Sequence, residues 1–311
     1  MTDAHTAVIF PGQGAQKSGM GAAWRESGSW SLVADLSEHT GVDVEELLLS
    51  ADDETLRRTD LAQIAVFAVA VIGLHSSREA GAVGTVAGYA GHSLGEYVAL
   101  YAAGALPLES AAKLVAERGR AMLTAARESP GTMAVLVRAD DDTVAALISA
   151  VRSEGHQVWL ANLNAPGQRV VSGSLPGIGR VAELAADHDA KAMRIPVSGA
   201  FHSPLMSGAV DRLTRALSSA PFADRHAPVV ANVDARVYTG GDTDWSSLAK
   251  RQIMAPVRWE ESVLVLNTNL GCGRFVEIGP GATLSGMVRR TLRDVETVSV
   301  TAPEDLATLT V

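Results

Sequence analysis

The sequence predicts an α/β fold: a mostly parallel sheet with helices on both faces, interrupted by a small two-layer unit. Three observations carry this. In both outer parts of the chain short apolar strands alternate with helical stretches, the pattern of a parallel sheet buried on both faces. Between residues 132 and 198 the order becomes β-α-β-β-α-β, the split β-α-β arrangement. Around residues 91–95 a strand, a tight turn and a helix bracket an isolated serine. At roughly 150 residues per domain, the 311 residues allow about two domains. The expected division is a discontinuous large domain, 1–131 with 199–311, and a small subdomain, 132–198.

The elements follow in order. TAVIF is the first strand, ended by Pro11 and the turn PGQGAQKSG, whose glycines bring backbone N–H groups close to anything bound there. That turn has neither the G-x-x-x-x-G-K-[ST] order of a phosphate loop nor G-x-G-x-x-G. Residues 64–74 are continuously apolar and rich in alanine, which reads as a buried helix. Residues 83–90 read as a strand, 96–103 as a helix, and 108–127 as a long helix carrying Arg118 and Arg120 and stopped by Ser129-Pro130-Gly131.

The inserted unit follows, with strands at 132–137, 157–162, 169–173 and 190–197 and helices at 140–153 and 181–187. Pro196, Gly199 and Pro204 mark the return to the large domain. Helices are expected at 206–217, 245–254 and 259–267 and strands at 229–232 and 274–278. The turn GPGATLSG, a helix reaching Arg290 and a strand at 295–300 end the pattern.

Composition narrows the function. With 47% hydrophobic and 20% charged residues the chain is an ordinary globule, not a disordered one. The apolar run 64–74 falls short of the roughly 20 residues needed to cross a bilayer. No secretory signal is expected from MTDAHTAVIFPGQG, where Asp3 replaces a basic flank and Pro11 cuts the apolar run short. A net charge of -9 opposes binding to a nucleic-acid backbone. The single Cys272 allows no internal disulfide, no zinc spacing is present, and a reducing cytoplasm is the expected compartment.

GHSLG fits the nucleophile-elbow pattern G-x-S-x-G, which lifts Ser93 out of the backbone at the start of a helix, where free N–H groups favour a developing oxyanion. A serine hydroxyl needs a base. Of the eight histidines, His202 in SGAFHSPLM lies in a Gly/Pro-punctuated loop between a strand and a helix and is the candidate. His92, beside Ser93, is expected to point away and act as a support; the others lie near a terminus, helix ends or surface turns. No acid in a distinctive motif stands between Ser93 and His202, so a backbone carbonyl or an amide is left to orient the imidazole of a Ser-His dyad.

FPGQGAQ, TDLAQ, GHSLGEYVAL, ERGRAM, NLNAPGQRVVSG, AFHSPLM, PVRW and EIGPGATLSG run in one order through nearly the whole chain. In this the sequence resembles the malonyl-CoA:acyl-carrier-protein transacylases of fatty-acid synthesis and their polyketide relatives. The resemblance implies a hydrolase-like core with a ferredoxin-like subdomain and malonyl transfer from malonyl-CoA to the phosphopantetheine thiol of an acyl carrier protein. It implies that Ser93 is acylated and His202 is the base, that Gln13 and the backbone N–H of Leu94 form the oxyanion hole, and that Arg118 holds the malonyl carboxylate as a bidentate pair. Gln252 would orient His202 through an amide carbonyl, and Phe201 before the histidine goes with malonyl over methylmalonyl.

A monomer without metal, nucleotide or redox cofactor is expected, coenzyme A entering only as the carrier of the substrate. Docking of an acidic carrier would use a local basic patch, with Arg194, Arg251, Arg289 and Arg290 as candidates. Transfer of another acyl group in a polyketide pathway, and thioester hydrolysis by the same Ser-His chemistry, are the alternative readings.

Overall fold

The computed structural model describes residues 5–309. A six-stranded sheet is built from β1 (His5–Phe10), β2 (Val86–Gly91), β7 (Arg225–Val230), β8 (Val237–Gly240), β9 (Cys272–Ile278) and β10 (Glu296–Val300), in the order β10-β9-β1-β2-β7-β8. Every pairing in it is parallel except that of β7 with β8. The central strand shows why the apolar runs are unbroken. Val8 and Phe10 enter one core cluster, Ala7 and Ile9 the other, and all four are fully buried.

The inserted layer is a four-stranded antiparallel sheet of β3 (Gly131–Val137), β4 (Val158–Ala165), β5 (Gln168–Ser174) and β6 (Lys191–Ile195), in the order β4-β5-β3-β6. Helices Asp141–Ser153 and Leu175–Ala185 belong to this layer, which encloses its own core around Leu136, Leu147 and Val171. Helix Leu175–Ala185 starts before the residues at 181 where the periodicity first reads as helical. Pro176 and Gly177 look like a turn, but proline is tolerated in a first turn whose N–H groups lack helical partners, and the Ser174 side chain accepts from the Gly177 N–H.

The expected helix at 64–74 is the middle of a longer one, Thr59–Glu79. By length and composition this helix could cross a membrane, but 89% of its apolar window lies inside the fold, where it packs on helix Leu108–Glu128. Helices Leu32–Thr40, Val44–Leu49 and Asp53–Arg57 and the short edge strand β8 were not expected from the pattern.

Candidate active site

Three loops meet at the carboxyl ends of β1, β2 and β7, where open parallel sheets place their ligand crevices. The sharpest is the turn between β2 and helix Gly95–Ala102, where Ser93 has φ +52°. This left-handed conformation costs a non-glycine residue about 1–2 kcal/mol. Its flanking glycines are fixed by contact distances. A Cβ on Gly91 would lie 1.9 Å from the Gly95 carbonyl, and one on Gly95 would lie 2.1 Å from the Phe10 oxygen. Only glycine on both sides allows β1 and the turn to close up.

His202, itself at φ +56°, comes from the loop before helix Ser207–Ser219 and is buried. Its Nε2 lies 2.8 Å from Ser93 Oγ, and its Nδ1 lies 2.8 Å from the backbone oxygen of Gln252. A carbonyl can only accept, so Nδ1 carries the hydrogen and Nε2 is left as the acceptor for the serine proton. The missing acid of a triad is thus replaced by a main-chain carbonyl. Gln252 stands where the resemblance puts it, but its peptide carbonyl faces the imidazole. Its side chain goes elsewhere, Nε2 donating to Ser93 O at 2.8 Å and to Glu96 Oε1 at 3.1 Å. Burial first, and the nearby Arg118 cation second, push the His202 pKa down to about 3.

Arg118 projects from helix Leu108–Glu128 and is 1% exposed. Its Nη2 donates to Ser93 Oγ at 3.0 Å and to Gln252 Oε1 at 3.1 Å, and its Nη1 donates to Gln63 Oε1 at 2.5 Å. These acceptors are all neutral. Arg118 forms no ion pair among the described residues, and its Nε is buried with no hydrogen-bond partner. A guanidinium always carries its charge, so the cavity holds a desolvated cation that touches no carboxylate, the buried Glu96 lying beyond the Gln252 amide.

Gln63 continues a chain of hydrogen bonds. Its Nε2 donates to Thr59 Oγ1 at 3.1 Å, and Thr59 Oγ1 donates to Gln13 Oε1 at 2.6 Å. TDLAQ therefore places Thr59 and Gln63 four apart on one helix face, tying Arg118 to the loop after β1. Neither the backbone N–H of Leu94, at the N-terminus of its helix, nor that of Gln13 donates a hydrogen bond within the described chain. His92 points to the inserted layer, its Nε2 lying 2.9 Å from Asn164 Oδ1 and 3.2 Å from Asn162 Nδ2, with its ring against Trp259.

A cavity of about 210 Å³ opens over Ser93 and Arg118 between the two sheets. Its walls are apolar, with Met122, Met133, Val170, Ile195, Phe201 and Met287. Among the described residues no cluster of three or more His, Cys, Asp or Glu could hold a metal ion.

Besides Thr59 and Gln63, two more buried residues of this site escape the sequence reading. Glu96 stands in the quoted string GHSLGEYVAL, and the signal was its place one turn after the serine. Asn232 had only its position at the end of an apolar strand to mark it. Asn232 bonds to the elbow backbone, its Oδ1 accepting from the Ser93 N–H at 2.7 Å, and Glu96 bonds in turn to Asn232, its Oε2 accepting from the Asn232 N–H at 2.6 Å.

The family model described as acyl transferase domain matches residues 7–304. The chain belongs to this family. This acyl transferase is 38% identical over 303 residues to the malonyl CoA-acyl carrier protein transacylase of Bacillus subtilis, covering 96% of this chain and 94% of that one. Among solved structures it resembles the malonyl-CoA:acyl carrier protein transacylase of Xanthomonas oryzae pv. oryzae, with a TM-score of 0.91 and 35% identity, covering 100% of this chain and 98% of that one. A malonyl-transacylase solved in complex with a type II polyketide synthase acyl-carrier protein superposes with a TM-score of 0.92 at 32% identity, covering 98% of this chain and 99% of that one.

Proposed function

We propose that the protein transfers a malonyl group from malonyl-CoA to the phosphopantetheine thiol of an acyl carrier protein through an acyl-Ser93 intermediate. The relatives named as malonyl transacylases support the reaction, and the relative solved with a carrier protein supports the acceptor. The observation that carries the substrate class is Arg118, a buried cation without a carboxylate partner that reaches the candidate nucleophile. An acyl group ending in a carboxylate supplies the missing partner; acetyl does not.

In the first half-reaction Ser93 Oγ attacks the thioester carbonyl while His202 Nε2 takes its proton. The oxyanion forms against the N–H groups of Leu94 and Gln13. The C–S bond then breaks, and His202 returns the proton to the departing coenzyme A sulfur. In the second half the carrier thiol gives its proton to His202 and attacks the acyl carbon, and Ser93 leaves with that proton. No cofactor enters this scheme. Phe201 lines the acyl cavity and opposes an added methyl, a discrimination of about 1–3 kcal/mol.

For the carrier, Arg194, Arg251, Arg289 and Arg290 are exposed and join no ion pair among the described residues. Arg194 adjoins Ile195, and Arg289 and Arg290 follow Met287, both cavity residues. These three exposed cations, near cavity residues in the chain, are the contacts proposed for an acidic carrier.

Arg118→Ala tests the substrate assignment. Its kcat/KM for malonyl-CoA is expected to fall about 1000-fold, because the carboxylate loses its only cation in a desolvated site. Acetyl-CoA, which brings no such charge, is expected to change by less than about tenfold or to improve. An equal loss on both thioesters would reassign Arg118 to the fold or to the coenzyme A moiety.

The depressed pKa of His202 gives a second test. With a folded value of about 3, the imidazole stays neutral and able to accept a proton through the range where an ordinary histidine is already charged. The kcat/KM for acylation, which reports the free enzyme, is expected to stay level from about pH 8 down to about pH 5. An acid limb with its midpoint near the ordinary histidine value would contradict this.

A further inference from the structure

Ser93 holds its left-handed backbone conformation two residues before helix Gly95–Ala102 begins. Its carbonyl accepts from Gln252 Nε2 at 2.8 Å and from the Glu96 N–H at 3.2 Å, and its N–H is held from the β7 side. β7 runs parallel to β2 in the register Tyr89↔Val229 and Ala90↔Val230, so the residues after Val230 advance beside the elbow. There the Asn232 side chain replaces the missing ladder. Its Oδ1 accepts from the Ser93 N–H at 2.7 Å, and its Nδ2 donates to the Gly91 carbonyl at 2.7 Å. One amide thus spans both ends of the segment containing the strained residue, with the donor and acceptor of a peptide unit.

The clamp is itself held. Asn232 is fully buried, and its N–H donates to Glu96 Oε2 at 2.6 Å. Gln252 Nε2 lies 3.1 Å from the other Glu96 oxygen and 3.3 Å from Asn232 Oδ1. Tying up the Ser93 N–H also leaves the next amide, that of Leu94, free to face an oxyanion.

We propose that Asn232 is a positioning residue for the reaction: its side-chain amide fixes the elbow so that Ser93 Oγ meets His202 Nε2 and the Leu94 N–H faces the acyl oxygen. The inference rests on Ser93 being the acylated residue. Asn232 does not line the acyl cavity, so its loss acts on the rate of acylation and not on malonyl-CoA binding.

Asn232→Ala is expected to acylate about 100-fold more slowly in rapid-quench intact-mass measurements, the effect of a displacement near 1 Å. The KM for malonyl-CoA should stay within about threefold, since Arg118 is untouched. An acylation rate within about threefold of the parent's would overturn the proposal.

Asn232→Asp gives an independent readout and decides the matter if the alanine variant does not fold. A protonated carboxyl has the same acceptor and donor as the amide, whereas a carboxylate cannot donate to Gly91 O and repels Glu96. The charged and titratable groups around this position are Glu96, which bonds to Asn232, Arg118 and Asp234, which act on Glu96, and His202 with His92. Relative to the parent at each pH, the Asp variant should acylate at least about tenfold faster at about pH 6 than at about pH 8.5. A flat ratio would overturn the proposal. The two readings fail separately: a parent acylated elsewhere than Ser93 removes the nucleophile, whereas a parent acylated at Ser93 with neutral Asn232 variants removes only the clamp.

Discussion

Ser93→Ala is expected to lower malonyl transfer by about 10⁴-fold or more, since removing a nucleophile removes the covalent route. The fold should survive. Alanine keeps the Cβ that the elbow already accommodates, and the lost hydroxyl contacts only His202 and Arg118. Arg118 retains Gln63 and Gln252 as acceptors, so the melting temperature should move by no more than about 2 °C, equivalent to roughly 1 kcal/mol in a chain of this size. A fluorophosphonate that labels the parent should leave the variant unlabelled. Retained turnover, or labelling of both proteins at one other residue, would remove Ser93 from the mechanism.

His202→Ala is expected to slow both half-reactions by about 10³- to 10⁴-fold, because one imidazole moves the proton in each. The distinguishing feature is symmetry. Arg118→Ala should discriminate between acyl groups, whereas His202→Ala should slow malonyl and acetyl alike and slow release to the carrier as much as loading. Rapid-quench rates near the parent's in either half would contradict the assignment of His202 Nε2 as the shared base.

The α/β alternation was legible because a parallel strand buried on both faces is apolar without interruption, as β1 is from Ala7 to Phe10. GHSLG was legible because sterics at Gly91 and Gly95 admit no Cβ. Neither cue reaches across the sequence. The ties from Arg118 to Gln63 and from Ser93 to Asn232 join residues far apart in the chain, and polar residues without a spacing rule leave no periodic mark. Gln252 shows the limit within one residue. Sequence placed it near His202, but which carbonyl faces the ring depends on how helix Trp245–Met254 ends. The short helices between residues 32 and 57 were lost for another reason. Each spans nine residues or fewer, and two begin at Asp43 and Asp52, caps that also read as turn residues.

A malonyl ester on Ser93 that passes to a carrier thiol can be followed in a single chase experiment. The protein is mixed with malonyl-CoA, freed of excess thioester and digested for peptide mass mapping. A second portion receives an acyl carrier protein bearing phosphopantetheine before intact masses are read. The expected result is a malonyl adduct on the peptide containing Ser93, lost in the second portion as the carrier gains the same mass. An adduct elsewhere, or one released as free malonate without loading the carrier, would contradict it.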